Sequence, residues 1–536
     1  MVVTSPNPIH GVSAPGASWS TVNLSEAVPG PVTPLGWSVW SPAGELGGRV
    51  PFYAMGAIPK AMLGVPERPE DRILNVFFGR VALRVDFMCE LGDLVPGTSG
   101  EALGNQVFGG VPEGFVSRPS KRRYPVIAVK FPASFVRVPS SIRKARAMTE
   151  PWWKAEVART PALDLAGARA QLQAGIDRFT TNLSLQATAI VCGIQIAFEQ
   201  LSLLADKAGV DHAALMSGHG SHAETAVIED LWAVSRDRLT LAEFAARHGY
   251  HGPYEGELSA VSWREDQAPL LKMLDGYRAM DEGAGPAAVE SGRAADRRRA
   301  ETQLLESLPR TGQAQARLVL KLAGKYLPLR GVGKVAFLQS LDVARAAARR
   351  IGLLLADDGV IAEPEDVFYL TAPEILGSPP ADAKDLVAER RVIRESYRKL
   401  RLPTFWTGDP VSEVIEDIAD GGEIGAAGHL TGVGVSSGIV EGPARVVTDP
   451  ALAEMDPGDI LVAHTTDPGW ASLMFMANAL VVDIGGQLSH AAVVARELGI
   501  PCVMNTLDGT RLLRDGDRLR VDGGAGTVEI LGRPGH

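Results

Sequence analysis

Beyond about residue 429 the chain alternates short apolar strands with short helices at high density, and this pattern constrains its fold more than any other feature. GVGVSSGIVEGPARVV reads as two strands about a turn, DILVAHTT as a strand and WASLMFMANA as a helix. ALVVDIGG follows as a strand, SHAAVVAREL as a helix and PCVMN as a strand, and DRLRVDG and GTVEIL close the series as strands. Residues 429–536 therefore read as one α/β module of ordinary domain size.

Within that module stands GGQLSHAAVVARELGIP, residues 485–501. A buried strand ends at Asp483-Ile484, and Gly485 and Gly486 make a tight exit. Ser489 has the character of an N-cap, which puts His490 in the first turn of a helix. Ala491, Ala492 and Ala495 keep that helix thin enough for close approach, and Gly499 and Pro501 end it. A histidine beside glycine amides at a helix N-terminus suits an anion, because free N–H groups and the helix dipole both favour negative charge. Neutral imidazole is also a competent nucleophile. A lone capping or core histidine is the plain alternative on these residues alone.

The rest of the chain has a different texture. Residues 1–26 read as an extended tail, and AVPGPVTPLGWSVW follows, with Pro29, Pro31 and Pro34 set against a regular helix. Trp37 and Trp40 suggest that this segment packs down onto something. Residues 50–140 mix short apolar runs with turns, among them ILNVFFGRVAL and YPVIAVKFPASFVRV. Helical periodicity then dominates, from Pro161 to Ala208 and again over 224–248, 262–280, 297–325 and 332–357. Arg297-Arg298-Arg299 reads as a solvated face with local ion pairs. Residues 407–428 are acidic and glycine-rich, the composition of a hinge.

Composition narrows the class. With 46% hydrophobic and 22% charged residues the chain is globular rather than disordered. Its 53 basic and 63 acidic side chains give a dispersed net charge of −10, which offers no footprint for a nucleic-acid backbone. Cys89, Cys192 and Cys502 stand far apart, which argues against a disulfide framework and a cysteine zinc site. The N-terminus lacks the charged and apolar regions of a signal peptide. The longest apolar stretch, 190–204, is broken by Gln195, Glu199 and Gln200, against a membrane-spanning helix. The expectation is a cytoplasmic, multidomain protein without a membrane or nucleic-acid partner.

The C-terminal module resembles the phosphohistidine (swivelling) domain of the phosphoenolpyruvate-utilising enzymes. The likeness runs through Gly432-Val-Gly-Val-Ser-Ser-Gly438, Gly442-Pro-Ala444, Gly458-Asp-Ile-Leu461, Thr466-Asp-Pro-Gly-Trp470, the His490 motif and Val521-Asp-Gly523. It implies that His490 is transiently phosphorylated, with Gly485, Gly486 and Ser489 forming its loop. The preceding residues resemble the acceptor-substrate domain of the rifampin-phosphotransferase and phenylphosphate-synthase branch. The likeness there rests on Asn23…Glu26…Pro29-Gly30…Thr33-Pro34-Leu35, on Gly249-Tyr250-His251-Gly252…Glu255…Glu257-Leu258 with Trp263-Arg264-Glu265-Asp266, and on Arg330…Lys334 followed by Glu365–Thr371. The fold this implies is multidomain α+β. A tail over 1–20 leads into a mostly helical acceptor domain over 21–406, the 407–428 hinge and the swivelling α/β domain over 429–536.

In that family the Arg and Lys four apart face the phosphoryl-transfer site. Helical spacing puts Arg330 and Lys334 on one face, two cations suited to a phosphoryl group in transit. His251, or Lys334, is the candidate to take the proton of an acceptor hydroxyl, with Trp37, Glu255, Glu257 and Trp263 as candidate substrate-binding residues. The departures from the family pattern are His251 in place of a common Arg, Gly331 in place of an acidic residue, and Val261-Ser262 where Pro-Arg is usual. The domain pattern puts a phenolic acceptor first, ahead of another hydroxylated substrate such as an antibiotic.

No GxxxxGK[ST] occurs, and the residues on either side of these domains are too few for an ATP-grasp domain or a phosphoenolpyruvate barrel. A separate ATP-grasp subunit is accordingly expected to bind ATP and Mg2+ and to phosphorylate His490, with release of AMP and phosphate. Two rival readings stand beside this one. His219-x-x-His222 with His248-x-x-His251 has metal-ligand spacing, although the expectation is no metal; a phosphocarrier without small-molecule chemistry is the other rival.

Overall fold

Apolar residues recurring every three or four positions form helices here wherever that period is sustained. The computed structural model describes the chain apart from residues 1–6, 109, 218–221, 416–428, 450–452, 454, 467, 487–488 and 534–536. Helices Leu165–Ala189 and Gln195–Ala208 are joined by a π-helical turn at Ile190–Ile194. Helices His222–Ser235, Leu241–His248, Ala268–Ala279, Pro286–Ser307, Arg310–Tyr326 and Leu329–Asp357 follow. The contacts divide the chain into two units. One comprises residues 1–193, 256–260 and 332–418; the other comprises 194–255, 261–331 and 419–536.

In the first unit the helix Pro34–Met55 packs along Leu165–Ala189, with Trp40 edge-on to Phe179 at 5.0 Å. The helix starts inside a segment the prolines seemed to forbid. Pro34 occupies the first helical position, where its missing N–H costs nothing, and Thr33 caps it by accepting from the Gly36 N–H. YPVIAVKFPASFVRV is likewise no short apolar run among turns but the start of a single helix, Tyr124–Arg159, that carries Pro132, Pro139 and Pro151 within it. Residues 7–20 are anchored rather than loose. Ser18–Ser20 is a strand in the antiparallel order 74–77, 80–84, 18–20, 405–407, and Trp19 packs against Phe77. Part of the glycine-rich segment is ordered in strands, since Thr407 pairs with Ser18 and Glu413–Val414 with Leu400–Arg401. The remainder of the expected hinge, 416–428, lies outside the described residues.

One helical stretch, Leu165–Ala208, is long and apolar enough by length and composition to cross a membrane, contrary to the reading from its polar interruptions. Gln195, Glu199 and Gln200 are too few to pull its mean hydropathy below 1.5 over the most apolar stretch, of which 44% is buried inside the protein. A buried core helix meets the same test.

The second unit holds an eight-stranded mixed sheet in the order 429–431, 527–532, 518–522, 439–447, 460–463, 479–482, 502–504, 433–436. Strands 439–447, 460–463, 479–482 and 502–504 run parallel, and the last three are buried on both faces, hence their unbroken apolar sequences. One face packs Val462, Val481 and Val503 against Leu513, Leu519, Val521 and Val528. Over the other lie the helices Ala471–Met476 and His490–Leu498, which share a core with His222–Ser235, Ala268–Ala279 and Pro286–Ser307. Phe475 sits 6.0 Å from Trp232 and 5.3 Å from Tyr277, ring centre to ring centre, in that core. Arg297 and Arg299 pair with Glu301 and Asp296 on their own helix, the local ion pairs read from the sequence.

Candidate phosphohistidine site

The site is built at the carboxyl ends of the parallel strands 460–463 and 479–482, where open α/β sheets commonly bind ligands. The chain leaves strand 479–482 through Asp483 and Ile484, whose N–H groups donate to Ala463 and His464 carbonyls at 3.0 and 2.9 Å. Asp483 is buried and ties this corner together, accepting from Thr506 Oγ1 at 2.9 Å and from both the backbone and the hydroxyl of Thr510. His464 reaches the same carboxylate at 3.4 Å. Burial alone would push the Asp483 carboxyl up, yet these hydrogen bonds hold it below the usual carboxylate range.

Gly485 and Gly486 lead to Ser489, whose N–H donates to the Gly486 carbonyl. Ser489 is the N-cap, extended at φ −64° and ψ 167°, and its hydroxyl accepts from the Ala492 N–H at 3.1 Å. His490 is the first helical residue and only 2% exposed. Its Nδ1 lies 3.2 Å from Thr466 Oγ1, on the loop after the neighbouring strand. Either atom of that pair can donate; in the tautomer whose Nδ1–H donates to the hydroxyl, the lone pair falls on Nε2. Arg330 completes the corner: its Nη1 donates to the Ser489 carbonyl at 3.1 Å. A phosphoryl group on His490 would thus meet a helix N-terminus and the corner that Arg330 holds.

A second cluster in the same unit holds three of the residues singled out from the sequence. His251 Nδ1 lies 2.7 Å from Glu255 Oε2, both buried, and the imidazole lies tilted against Tyr250 and Trp263, at 4.2 and 5.9 Å between ring centres. His248 Nε2 pairs with Asp230 Oδ2 at 2.8 Å. Burial, helped by the neighbouring His251, pushes the His248 imidazole down to about 4 despite Asp230. Both histidines of that HxxH pair are engaged by carboxylates. His219 lies outside the described residues, and among those described no group of three or more potential ligands could hold a metal ion.

The remaining candidates lie in the first unit. Glu257 is committed to the start of helix Pro34–Met55, accepting from the Thr33 hydroxyl at 2.7 Å and from the Ser259 N–H and hydroxyl. Trp37 is half-buried on that helix. Lys334 is half-buried one turn beyond Arg330 on the helix Leu329–Asp357. Thr466, Asp483 and Asp230 were not singled out as site residues. Thr466 belongs to the Thr466-Asp-Pro-Gly-Trp470 motif, whereas nothing local in the sequence ties Asp230 to a histidine eighteen residues on.

Residues 455–526 match the PEP-utilising enzyme mobile domain, and residues 197–330 match the rifampicin phosphotransferase fourth domain. Over about half its length the chain is homologous to the rifampicin phosphotransferases. His490 therefore lies within the mobile domain, and Arg330 is the last residue of the fourth-domain match. Rifampicin phosphotransferase from Streptomyces sviceus is 33% identical over 309 residues, 55% of this chain and 34% of that one. The Bacillus subtilis rifampicin phosphotransferase is 29% identical over 305 residues, 55% of this chain and 35% of that one. An uncharacterised Mycobacterium tuberculosis protein is 34% identical over 286 residues, 53% of this chain and 30% of that one. The chain spans about a third of the length of the curated relatives it matches. The likeness to the NMR solution structure of an Enzyme I protein, 14% identical with a TM-score of 0.16 and covering 58% of this chain and 81% of that one, is too slight to carry an argument.

Proposed function

We propose that this chain accepts a phosphoryl group on His490 and passes it to a hydroxyl of a small organic acceptor, a hydroxylated antibiotic of the rifamycin class before any other. The observation that carries this reading is the Arg330 guanidinium seated on the carbonyl immediately before His490, at the N-terminus of its helix. Two relatives that are rifampicin phosphotransferases support the acceptor class. A phenol, placed first from the domain pattern, gains no support from those relatives and stands second.

In this reading a separate, cytoplasmic ATP-grasp subunit binds ATP and Mg2+ and transfers a pyrophosphoryl group to His490, leaving AMP. Hydrolysis of its outer phosphoryl releases phosphate, and attack of the acceptor hydroxyl on the remaining phosphorus frees His490. Arg330 balances the charge of the group in flight. His251, with Nδ1–H held by Glu255, keeps a lone pair on Nε2 for the hydroxyl proton.

The test is to charge the full chain with potassium phosphoramidate, remove the reagent, and add rifampicin or phenol in separate reactions. The proposal expects phosphorylated rifampicin and loss of the acid-labile label from His490, with neither in the His490→Ala variant. Phosphorylated phenol without phosphorylated rifampicin moves the second reading to first place. Label lost only to water, with both acceptors unchanged, contradicts acceptor chemistry and leaves a phosphocarrier.

A further inference from the structure

Guanidinium groups from the helical part of the second unit reach both ends of the helix that carries His490. At the N-terminal end Arg330 Nη1 donates to the carbonyl of the N-cap, Ser489, at 3.1 Å. At the other end Arg293 Nη2, from the helix Pro286–Ser307, donates to the carbonyl of the C-cap, Gly499, at 3.2 Å. Between them Ala491, Ala492, Val494 and Ala495 are buried in the shared core, and Arg496, also buried, lies over the Phe198 ring. The last carbonyls of a helix have no intrahelical donor and carry the negative end of its dipole, and a guanidinium answers both.

Gly499 is shaped for this contact. Its φ of +70° is the left-handed conformation that ends the helix, and a Cβ there would fall 1.7 Å from Arg293 Nη2. Two further polar ties join the same partners, Ser437 Oγ to Asp211 Oδ2 at 3.2 Å and Tyr254 to the Thr448 carbonyl at 3.3 Å. In this arrangement His490 is 2% exposed, so a phosphoryl donor carried by a protein has no access to its imidazole.

We infer that Arg293 is a positioning residue, a latch on the Gly499 carbonyl that holds the His490 helix docked and sets how often His490 is exposed for charging. This rests on the phosphohistidine reading of His490. The latch must open for His490 to be charged and close again for transfer, so weakening it speeds the first step at the expense of the second.

The experiment measures the rate at which diethylpyrocarbonate modifies His490 in the full chain, by peptide mass spectrometry, with buried His251 in the same unit as the internal reference. Loss of one charge-assisted hydrogen bond predicts that Arg293→Ala raises the His490 rate about tenfold while His251 stays at the wild-type rate. Arg293→Lys, which keeps the charge without the planar fork, falls between the two. Gly499→Ala, which expels the guanidinium from its seat, matches Arg293→Ala. Equal His490 rates in wild type, Arg293→Ala and Gly499→Ala overturn the latch, and so does a parallel rise at His251, which marks general loosening. Phosphoramidate charging of the same variants separates the two ideas. A selective rise in diethylpyrocarbonate reactivity with no phosphate on His490 keeps the latch and removes the phosphohistidine reading.

Discussion

The Arg330 guanidinium and the Ser489 carbonyl are 3.1 Å apart, 159 residues distant in sequence, and this contact puts a fixed cation beside the residue that precedes His490. The contact is to backbone, so it survives any side-chain change at Ser489. Arg330→Ala is therefore expected to lower phosphoryl transfer from charged His490 by about 10²-fold or more, the usual effect of removing one group that stabilises developing charge. Arg330→Lys restores little, because a lysine lacks the planar fork. Single-turnover transfer to rifampicin measures both.

Ser489→Ala separates capping from chemistry. The hydroxyl accepts from the Ala492 N–H at 3.1 Å, and losing that cap costs about 1 kcal/mol. Urea unfolding is expected to show this loss, while transfer stays within a few-fold of wild type because the carbonyl that Arg330 holds remains.

His248 makes stability depend on pH in a defined window. Its imidazole is held at about 4 in the folded protein against an ordinary value of 6.5, burial being the main cause. Asp230 pulls it upward, and Arg247 and His251 pull it downward with burial. Between those values the unfolded chain binds the extra proton, so stability is full above the ordinary value and falls as the pH drops towards 4. The loss levels off below that, at about 3 kcal/mol at most. Urea midpoints at a series of pH values check it, and His248→Gln is expected to flatten the slope.

In the first unit Asp342 accepts from Trp153 Nε1 at 2.8 Å and pairs with Arg345 at 3.2 Å, all three buried. Asp342→Ala strips a buried guanidinium of its carboxylate and is expected to cost about 3–5 kcal/mol. Asp342→Asn, which still accepts from Trp153, is expected to cost less. Chemical denaturation of the two variants distinguishes them.

The C-terminal module was legible because its signals are local. Ser489 as cap, His490 in the first turn and Gly499 as the left-handed end all follow from short-range chemistry, and each strand read there is present. The long helices were legible from their period. What sequence reading missed depends on position or on distant partners. Pro34 opens a helix because it stands at the first position, and Pro132, Pro139 and Pro151 sit inside one that tertiary packing sustains. The polar pairs of the site, Thr466 with His490, Asp230 with His248 and Arg293 with Gly499, join residues 18 to 206 apart, and no periodicity encodes such pairs.

The central claim is that His490 carries phosphate. Isolation of the chain from growing cells under alkaline conditions, followed by peptide mapping, tests it most directly. Acid-labile phosphate is expected on the peptide containing His490 and is expected to be absent from the His490→Ala variant. Phosphate on another residue, or no phosphate on His490 in any growth condition, contradicts that claim.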